Sequence, residues 1–354
     1  MTGANPDPAD FLEALVRIES RSGEERRAAA WLVERMRELG FESFVDPAGN
    51  AVGTLGNGPR ALVLLGHIDT VSGDVRVRRE AGRLYGRGTV DAKGPLAAFT
   101  LAAARVGARE GFTIAVIGAV EEESASSKGA RHVAANWPRP EACVIGEPSS
   151  WRKLCLGYKG RLLVRYLRTR LMTHTAGRDR GVCEEAIDFW NALRAQADRF
   201  NEGIERAFDQ LTPSIRAMRS ESDGLSERVE VSIGIRVPAS IDVAELKREV
   251  TGLAGREAAV EFTGEERAIR AEKNNALVRA FLAAIREEGE RPAFSVKTGT
   301  ADMNVVGPVW NCPILAYGPG DSTLDHTPDE HLEIDELNAS IRVLERVLRT
   351  LTSV

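Results

Sequence analysis

The sequence predicts an α/β fold, a mixed sheet flanked by helices, with a smaller α+β domain inserted into it. Three observations support this. Short continuous apolar runs at 61–65, 113–120 and 142–145 alternate with helical stretches, as strands buried on both faces do. From Arg161 onward the strands become one-sided, alternating apolar and polar residues. The three apolar runs lead directly into His67, the Glu121-Glu122-Glu123 run and Glu147, and in open α/β sheets ligands bind beyond the carboxyl ends of the strands.

In chain order, residues 10–40 read as a helical region. Phe11, Leu12, Leu15 and Ile18, then Trp31, Leu32, Met36 and Leu39, recur at helical spacing, and Gly40 suits a helix stop. Residues 50–55 form a short strand. The 61–65 strand runs into Gly66-His67-Ile68-Asp69. Helical pattern resumes over 91–106 and again over 127–135, on either side of the 113–120 strand. The 142–145 strand ends at Gly146-Glu147-Pro148.

In the insert, 161–169 carries Leu163, Arg165 and Leu167 in alternation, and 184–200 is an amphipathic helix. Residues 228–237 place Val229, Val231, Ile233 and Ile235 on one face. A second helix follows at 242–253 with Asp242 as N-cap, then a strand at 258–263. The 274–288 helix returns to the first domain. The expected organisation is a catalytic domain of 1–160 and 271–354, interrupted by an insert of 161–270.

Composition narrows the function classes. Net charge is −5 with both signs well mixed, which argues against nucleic acid as the main partner. No apolar run approaches the roughly 20 residues of a membrane span, and the polar, Pro-rich start lacks a leader's apolar segment. The four cysteines (Cys143, Cys155, Cys183 and Cys312) form no CxxC pair, which suits a reduced, cytoplasmic compartment better than a metal or disulfide framework.

The candidate metal ligands are His67, Asp91, Glu122, Glu147 and His326. A lone His or Asp in a loop commonly only hydrogen-bonds at the surface. Here His67, Glu122 and Glu147 follow strands that should lie side by side. Asp91 sits in a Gly86-Arg87-Gly88 turn, and His326 in a polar loop with no core role. Imidazole and carboxylate converging from separate elements is the donor set of a divalent cation site.

Gly66-His67-Ile68-Asp69-Thr70-Val71, Gly86-Arg87-Gly88 followed by Asp91-Ala92-Lys93-Gly94, Glu121-Glu122-Glu123, Gly146-Glu147-Pro148 and the late His326 resemble the M20 metallopeptidase family in order and spacing. The resemblance implies a dinuclear-zinc aminopeptidase-like catalytic domain whose insert is a dimerisation, or lid, domain. It implies two divalent ions, zinc foremost, with cobalt or manganese as alternatives. Asp91 would bridge them, His67 and Glu147 would complete one site, and Glu122 and His326 the other. Glu121 would be the general base and Asp69 would support the His67 imidazole. The Asp91–Ala92 peptide would be cis. His174 would donate to the oxyanion from the partner subunit of a homodimer, although Thr175 stands where the family usually has Ser. Arg236 would meet a substrate carboxylate, with Lys297 and Thr300 lining the pocket.

The chemistry has a clear logic. Amide hydrolysis needs a nucleophile at neutral pH and stabilisation of the tetrahedral oxyanion, and a pair of divalent ions meets both needs. A carboxylate that is not a ligand must carry the proton to the leaving amine. On an extended chain adjacent side chains point to opposite sides, so Glu121 and Glu122 would divide the two roles.

Within the family, 88–96, 156–161 and 297–304 resemble the branch that releases lysine, and in some organisms ornithine, from the C-terminal glutamate of the acidic amino-group carrier protein LysW. The Asn-x-Ile-Pro segment of the deacetylase branch is absent, and 220–226 stands in its place. An acidic partner would favour a basic surface. Arg152, Lys153, Lys159, Arg161, Arg165, Arg168, Arg170, Arg178 and Arg180 supply one, unless they are simply a solvated strand and loop. Two other readings stand beside this one. One is deacylation of N-acetylornithine, N-acetyl-lysine or a related N-acyl amino acid, and the other is a non-catalytic metal-binding dimer.

Overall fold

The computed structural model describes residues 6–172 and 180–353. The chain divides into two compact units. The first comprises Met1–Gly157, Ala271–Val296 and Ala301–Val354, and the second Tyr158–Arg270 with Lys297–Thr300.

The first unit is built on a mixed sheet. Its strands run in the order Glu42–Val45, Ala51–Leu55, Phe112–Ala119, Arg60–His67, Ala142–Gly146, Ile314–Ala316 and Lys153–Tyr158. The four strands from Phe112–Ala119 to Ile314–Ala316 are mutually parallel. They are buried on both faces, which explains their unbroken apolar runs. Leu62, Leu64, Ile114, Val116 and Val144 pack into one core with Leu96 and Phe99 of helix Lys93–Val106. The same core takes in Phe281 of helix Ala276–Glu287 and Leu344 of helix Ile334–Leu351. Each such side chain contributes on the order of 1.5–3 kcal/mol by leaving water.

The helical region expected at 10–40 is two helices, Pro8–Val16 and Arg26–Glu38. The chain between them is drawn into the sheet end. Arg21 bridges to Thr70, and the Ser20 carbonyl accepts from the Thr70 amide at 2.9 Å.

The second unit is an antiparallel sheet in the order Thr212–Ser222, Ser226–Val237, Gly160–Leu171, Ala259–Glu266. Helices Val182–Asn201 and Val243–Ala254 share its core. Leu162, Val164, Tyr166, Val231, Ile233 and Ile235 alternate inward, and Tyr166 stacks on Phe189 at 4.5 Å. Asp242 caps its helix by accepting from the Ala244 and Glu245 amides. The edge strand Thr212–Ser222 was not expected. It is exposed along almost its whole length, so it carries no burial alternation to read.

Candidate metal centre and active site

Register places the site. His67 pairs with Ala119, and Gly66 with both Gly118 and Gly146, so three parallel strands end at one level. The next residues along, Val120 to Glu123 and Glu147, leave the sheet together with His67.

Two donor sets result. His67, Asp91 and Glu147 form one, and Asp91, Glu123 and His326 the other, with ligand atoms in each within 4.8 Å of one another. Asp91 belongs to both. Its Oδ1 lies 3.1 Å from His67 Nε2 and its Oδ2 lies 2.9 Å from His326 Nε2. Glu147 Oε1 is 3.9 Å from His67 Nε2, and Glu123 Oε1 is 2.8 Å from His326 Nε2. Carboxylates outnumber imidazoles, and the electrostatics follow. Burial opposes charge on His67, but Asp69, Asp91 and Glu122 outweigh it and raise its pKa. Hydrogen bonds to Asp91 and Glu123 push His326 up to about 10. Such an excess of buried carboxylate fits a cation at each set. The Asp91–Ala92 peptide is cis.

The three glutamates are placed differently from the expected division of roles. Glu123, not Glu122, is the glutamate that meets His326 and Asp91. Glu121 points elsewhere: its Oε2 accepts from Ser126 Oγ at 2.6 Å and its Oε1 lies 3.5 Å from Lys128 Nζ. The cause is the backbone. The strand ends at Ala119, and Glu121 adopts φ 57°, so the alternation of an extended chain no longer holds. Glu122 shares a third set with His67 and Glu123. Burial and then the charges of Glu147, Asp302 and Glu123 raise its pKa well above the carboxylate range, against the pull of His67.

The turn is gripped through its backbone. Asn50 Oδ1 accepts from the Val120 amide at 3.0 Å, Glu25 Oε1 from Glu121 at 3.1 Å, and Asp69 from Glu122 and Glu123 at 3.0 Å each. Asp69 is fully buried and also accepts from Ser22 Oγ at 2.7 Å. Its carboxylate lies 3.6 Å from His67 Nδ1, while its own carbonyl is nearer, at 3.0 Å. Asp69 therefore orders the glutamate turn as much as the imidazole. Hydrogen bonds and His67 hold its pKa down although burial pushes it up.

Sequence reasoning missed Glu25, Asn50, Ser22 and Glu330. Glu330 is fully buried and receives the Gly88, Val90 and Asp91 amides. Glu25, Asn50 and Glu330 accept from backbone N–H groups far away in sequence, and Ser22 donates to the Asp69 carboxylate, links that no spacing reveals.

In the second unit, Arg236 Nη1 donates to Thr300 Oγ1 at 3.1 Å, and the Lys297 carbonyl accepts from the Lys159 amide at 3.3 Å. Arg236 and Thr300 are thus in direct contact, while Lys297 is tied through its backbone to Lys159. His174 lies outside the described residues. The basic stretch is largely neutralised. Arg165 pairs with Glu230 and Glu261, Arg168 with Glu185 and Glu257, Arg170 with Glu227 and Glu185, and Arg180 with Asp188. Arg152 pairs with Glu290, and Lys159 is buried, donating to Ala207, Gln210 and Thr212. Among the described residues, no helix is long and apolar enough to cross a membrane.

Comparison with known proteins agrees with this geometry. Residues 63–350 match the model of peptidase family M20/M25/M40. The chain is 44% identical over 349 residues to the LysW-lysine hydrolase of Deinococcus radiodurans, covering 97% of this chain and 96% of that one. It is 37% identical over 350 residues to a putative LysW-lysine/LysW-ornithine hydrolase of Thermococcus kodakarensis, covering 98% and 93%. The fold matches the M20 metallo-carboxypeptidase Sso-CP2 of Sulfolobus solfataricus with TM-score 0.81 at 17% identity, over 98% and 99% of the two chains. It also matches human carnosine dipeptidase 1 with TM-score 0.77 at 14% identity, over 98% and 97%. With these relatives and with two donor sets meeting on Asp91, the chain belongs to peptidase family M20/M25/M40 and is a divalent-metal-dependent amide hydrolase.

Proposed function

We propose that this chain releases lysine, or ornithine, from the γ-linkage to the C-terminal glutamate of the acidic carrier protein LysW. Similarity to the Deinococcus radiodurans enzyme along nearly the whole of both chains carries the substrate assignment. The shared Asp91 carries the chemistry. His67, Asp91 and Glu147 would hold one divalent ion, and Asp91, Glu123 and His326 a second. Two imidazoles among carboxylates favour zinc, with cobalt or manganese as alternatives. Bound there, such ions supply Lewis-acid polarisation of the scissile carbonyl.

The chain's own residues do the rest. Glu122 takes a proton from the attacking water and returns it to the departing amine. Burial and the neighbouring carboxylates push its pKa upward, the direction a proton carrier needs. Asp69 fixes Glu122 and Glu123 through their amides. Arg236, set by Thr300, receives the substrate carboxylate as a charged donor, with Lys297 beside it. His174 would donate to the oxyanion from a second subunit joined through the insert. Arg165, Arg168, Arg170 and Arg180 are paired with acids of this chain, which lowers the net positive charge this stretch offers an acidic carrier.

Purified protein offered LysW-lysine, acetylornithine and acetyl-lysine tests the assignment. LysW-lysine should be turned over with the highest kcat/KM. Preference for either small acetylated substrate would replace this reading with the deacylase one.

A further inference from the structure

The loop that carries His326 is held locally by hydrogen bonds from Thr323 to Asp321 and from Thr327 to Leu324. The His326 side chain is 47% exposed and its backbone sits at φ 61°. Four residues on, Glu330 is fully buried. One of its oxygens accepts from the Gly88, Val90 and Asp91 amides at 2.9, 3.0 and 3.3 Å. The other accepts from Arg87 Nη1 at 2.6 Å. Its carbonyl also receives the Gly86 amide at 3.2 Å. The Asp91 loop is thus wrapped around one carboxylate delivered by the His326 loop. Gly88 at φ +86° permits this wrapping, and a Cβ there would meet Thr70 Cγ2 at 2.7 Å.

We propose that Glu330, held by Arg87, is the positioning residue that sets Asp91 and His326 at the spacing their shared cation requires. It touches neither the cation nor the substrate. Removing it leaves three N–H donors without their acceptor in a buried turn and frees the two ligand loops from each other. The effect is therefore larger at one set, because two of its three ligands, Asp91 and His326, lose their support, while the other set shares only Asp91. Asp91, Glu123 and His326 lose their geometry, whereas His67 and Glu147 are fixed by the sheet ends. The inference rests on the two-ion reading above.

Glu330→Gln is the informative variant, because an amide cannot satisfy both sides. If its oxygen faces the three amides, its NH2 meets the Arg87 guanidinium, and if it is turned over, its NH2 meets the amides. The experiment titrates chelated protein with Co(II), following the visible d–d spectrum and calorimetric stoichiometry, with thermal unfolding as a fold control. Wild type should bind about two equivalents in separable steps. Glu330→Gln should weaken one step about 10- to 100-fold, as loss of a group that orients metal ligands does, and the other step less. Arg87→Met, at a side chain 14% exposed, should weaken the same step less. It also serves as the second test should Glu330→Gln not fold. The double variant should be no worse than Glu330→Gln, because the two residues act as one unit. Wild type binding a single equivalent would refute the two-ion reading. Wild type binding two, with both steps unchanged in the folded variants, would refute the role of Glu330.

Discussion

Three consecutive glutamates offer a sharp test of the site, because the geometry gives each a different task. Glu121 faces Ser126 and Lys128, and the Lys128 side chain is 52% exposed. Glu121→Gln keeps an acceptor for the Ser126 hydroxyl and loses only a partly screened ion pair. The cost is at most about 1 kcal/mol of stability, and kcat should stay near wild type. Glu122→Gln removes the proton carrier while leaving the shape of the turn, since Asp69 grips the backbone amide and not the side chain. General acid–base catalysis is worth about 10²–10⁴-fold, so kcat should fall by that factor, equivalent to about 2.7–5.4 kcal/mol, with metal content retained. Glu123→Gln removes the carboxylate that stands 2.8 Å from His326, so it should lose metal first and activity as a consequence. Steady-state kinetics paired with metal analysis on the three purified variants separates these outcomes. A collapse of kcat in Glu121→Gln with metal intact would refute the shifted assignment and restore Glu121 as the base. Near wild-type kcat in Glu122→Gln would do the same damage from the other side.

Other expectations follow from the same geometry. Removing metal with a chelator should lower the unfolding midpoint, because two sets of buried carboxylates lose their countercharge. At a metal concentration of about 100 Kd the linked stability is about 2.7 kcal/mol per site, roughly 3–4 °C per site for a chain of this length by calorimetry. An unchanged midpoint would mean that the sets do not hold a cation. Arg236→Met should raise KM about 10- to 150-fold with kcat nearly unchanged, the value of one charged hydrogen bond to substrate. A fall in kcat alone would place Arg236 in the chemistry instead. Burial pushes the Cys312 thiol up to about 11, so its neutral form persists through neutral pH. Labelling of Cys312 by iodoacetamide should be slow at pH 8, rise about tenfold per pH unit toward pH 10, and leave activity intact at pH 8. Rapid labelling at pH 7 with loss of activity would contradict both the burial and the exclusion of cysteine from the site.

What the sequence revealed, and what it hid, divides along a physical line. Burial on both faces writes a continuous apolar run, so the strands before His67, Glu121 and Glu147 were readable, as was the convergence of their ends. Burial on one face writes alternation, so Ser226–Val237 was readable too. The buried face of Gly160–Leu171 was not. It buries Leu162, Val164 and Tyr166, on the face opposite Leu163, Arg165 and Leu167, and apolar residues stand on both of its faces. Thr212–Ser222 was not readable either, because an exposed edge strand imposes no pattern on its side chains. The glutamate triplet failed for a different reason. The division of roles assumed an extended chain, and a left-handed residue at Glu121 shifts every later side chain by one position. No residue type marks that event, since its cause is three distant acceptors, Asn50, Glu25 and Asp69, bonded to successive amides. The basic stretch misleads in the same way. Cations are countable in a sequence, but Glu227 lies opposite Arg170 only through strand register, and Glu185 reaches Arg168 from a helix. The ligands themselves were legible because metal binding constrains side-chain chemistry. Their supports were not, because an acceptor for a backbone N–H can be any carboxylate or amide that folding delivers. Assigning roles inside such a site therefore requires finding the buried acids that accept from distant backbone amides. Asp69 and Glu330 are two of them, and they hold the amides of Glu122, Glu123 and Asp91.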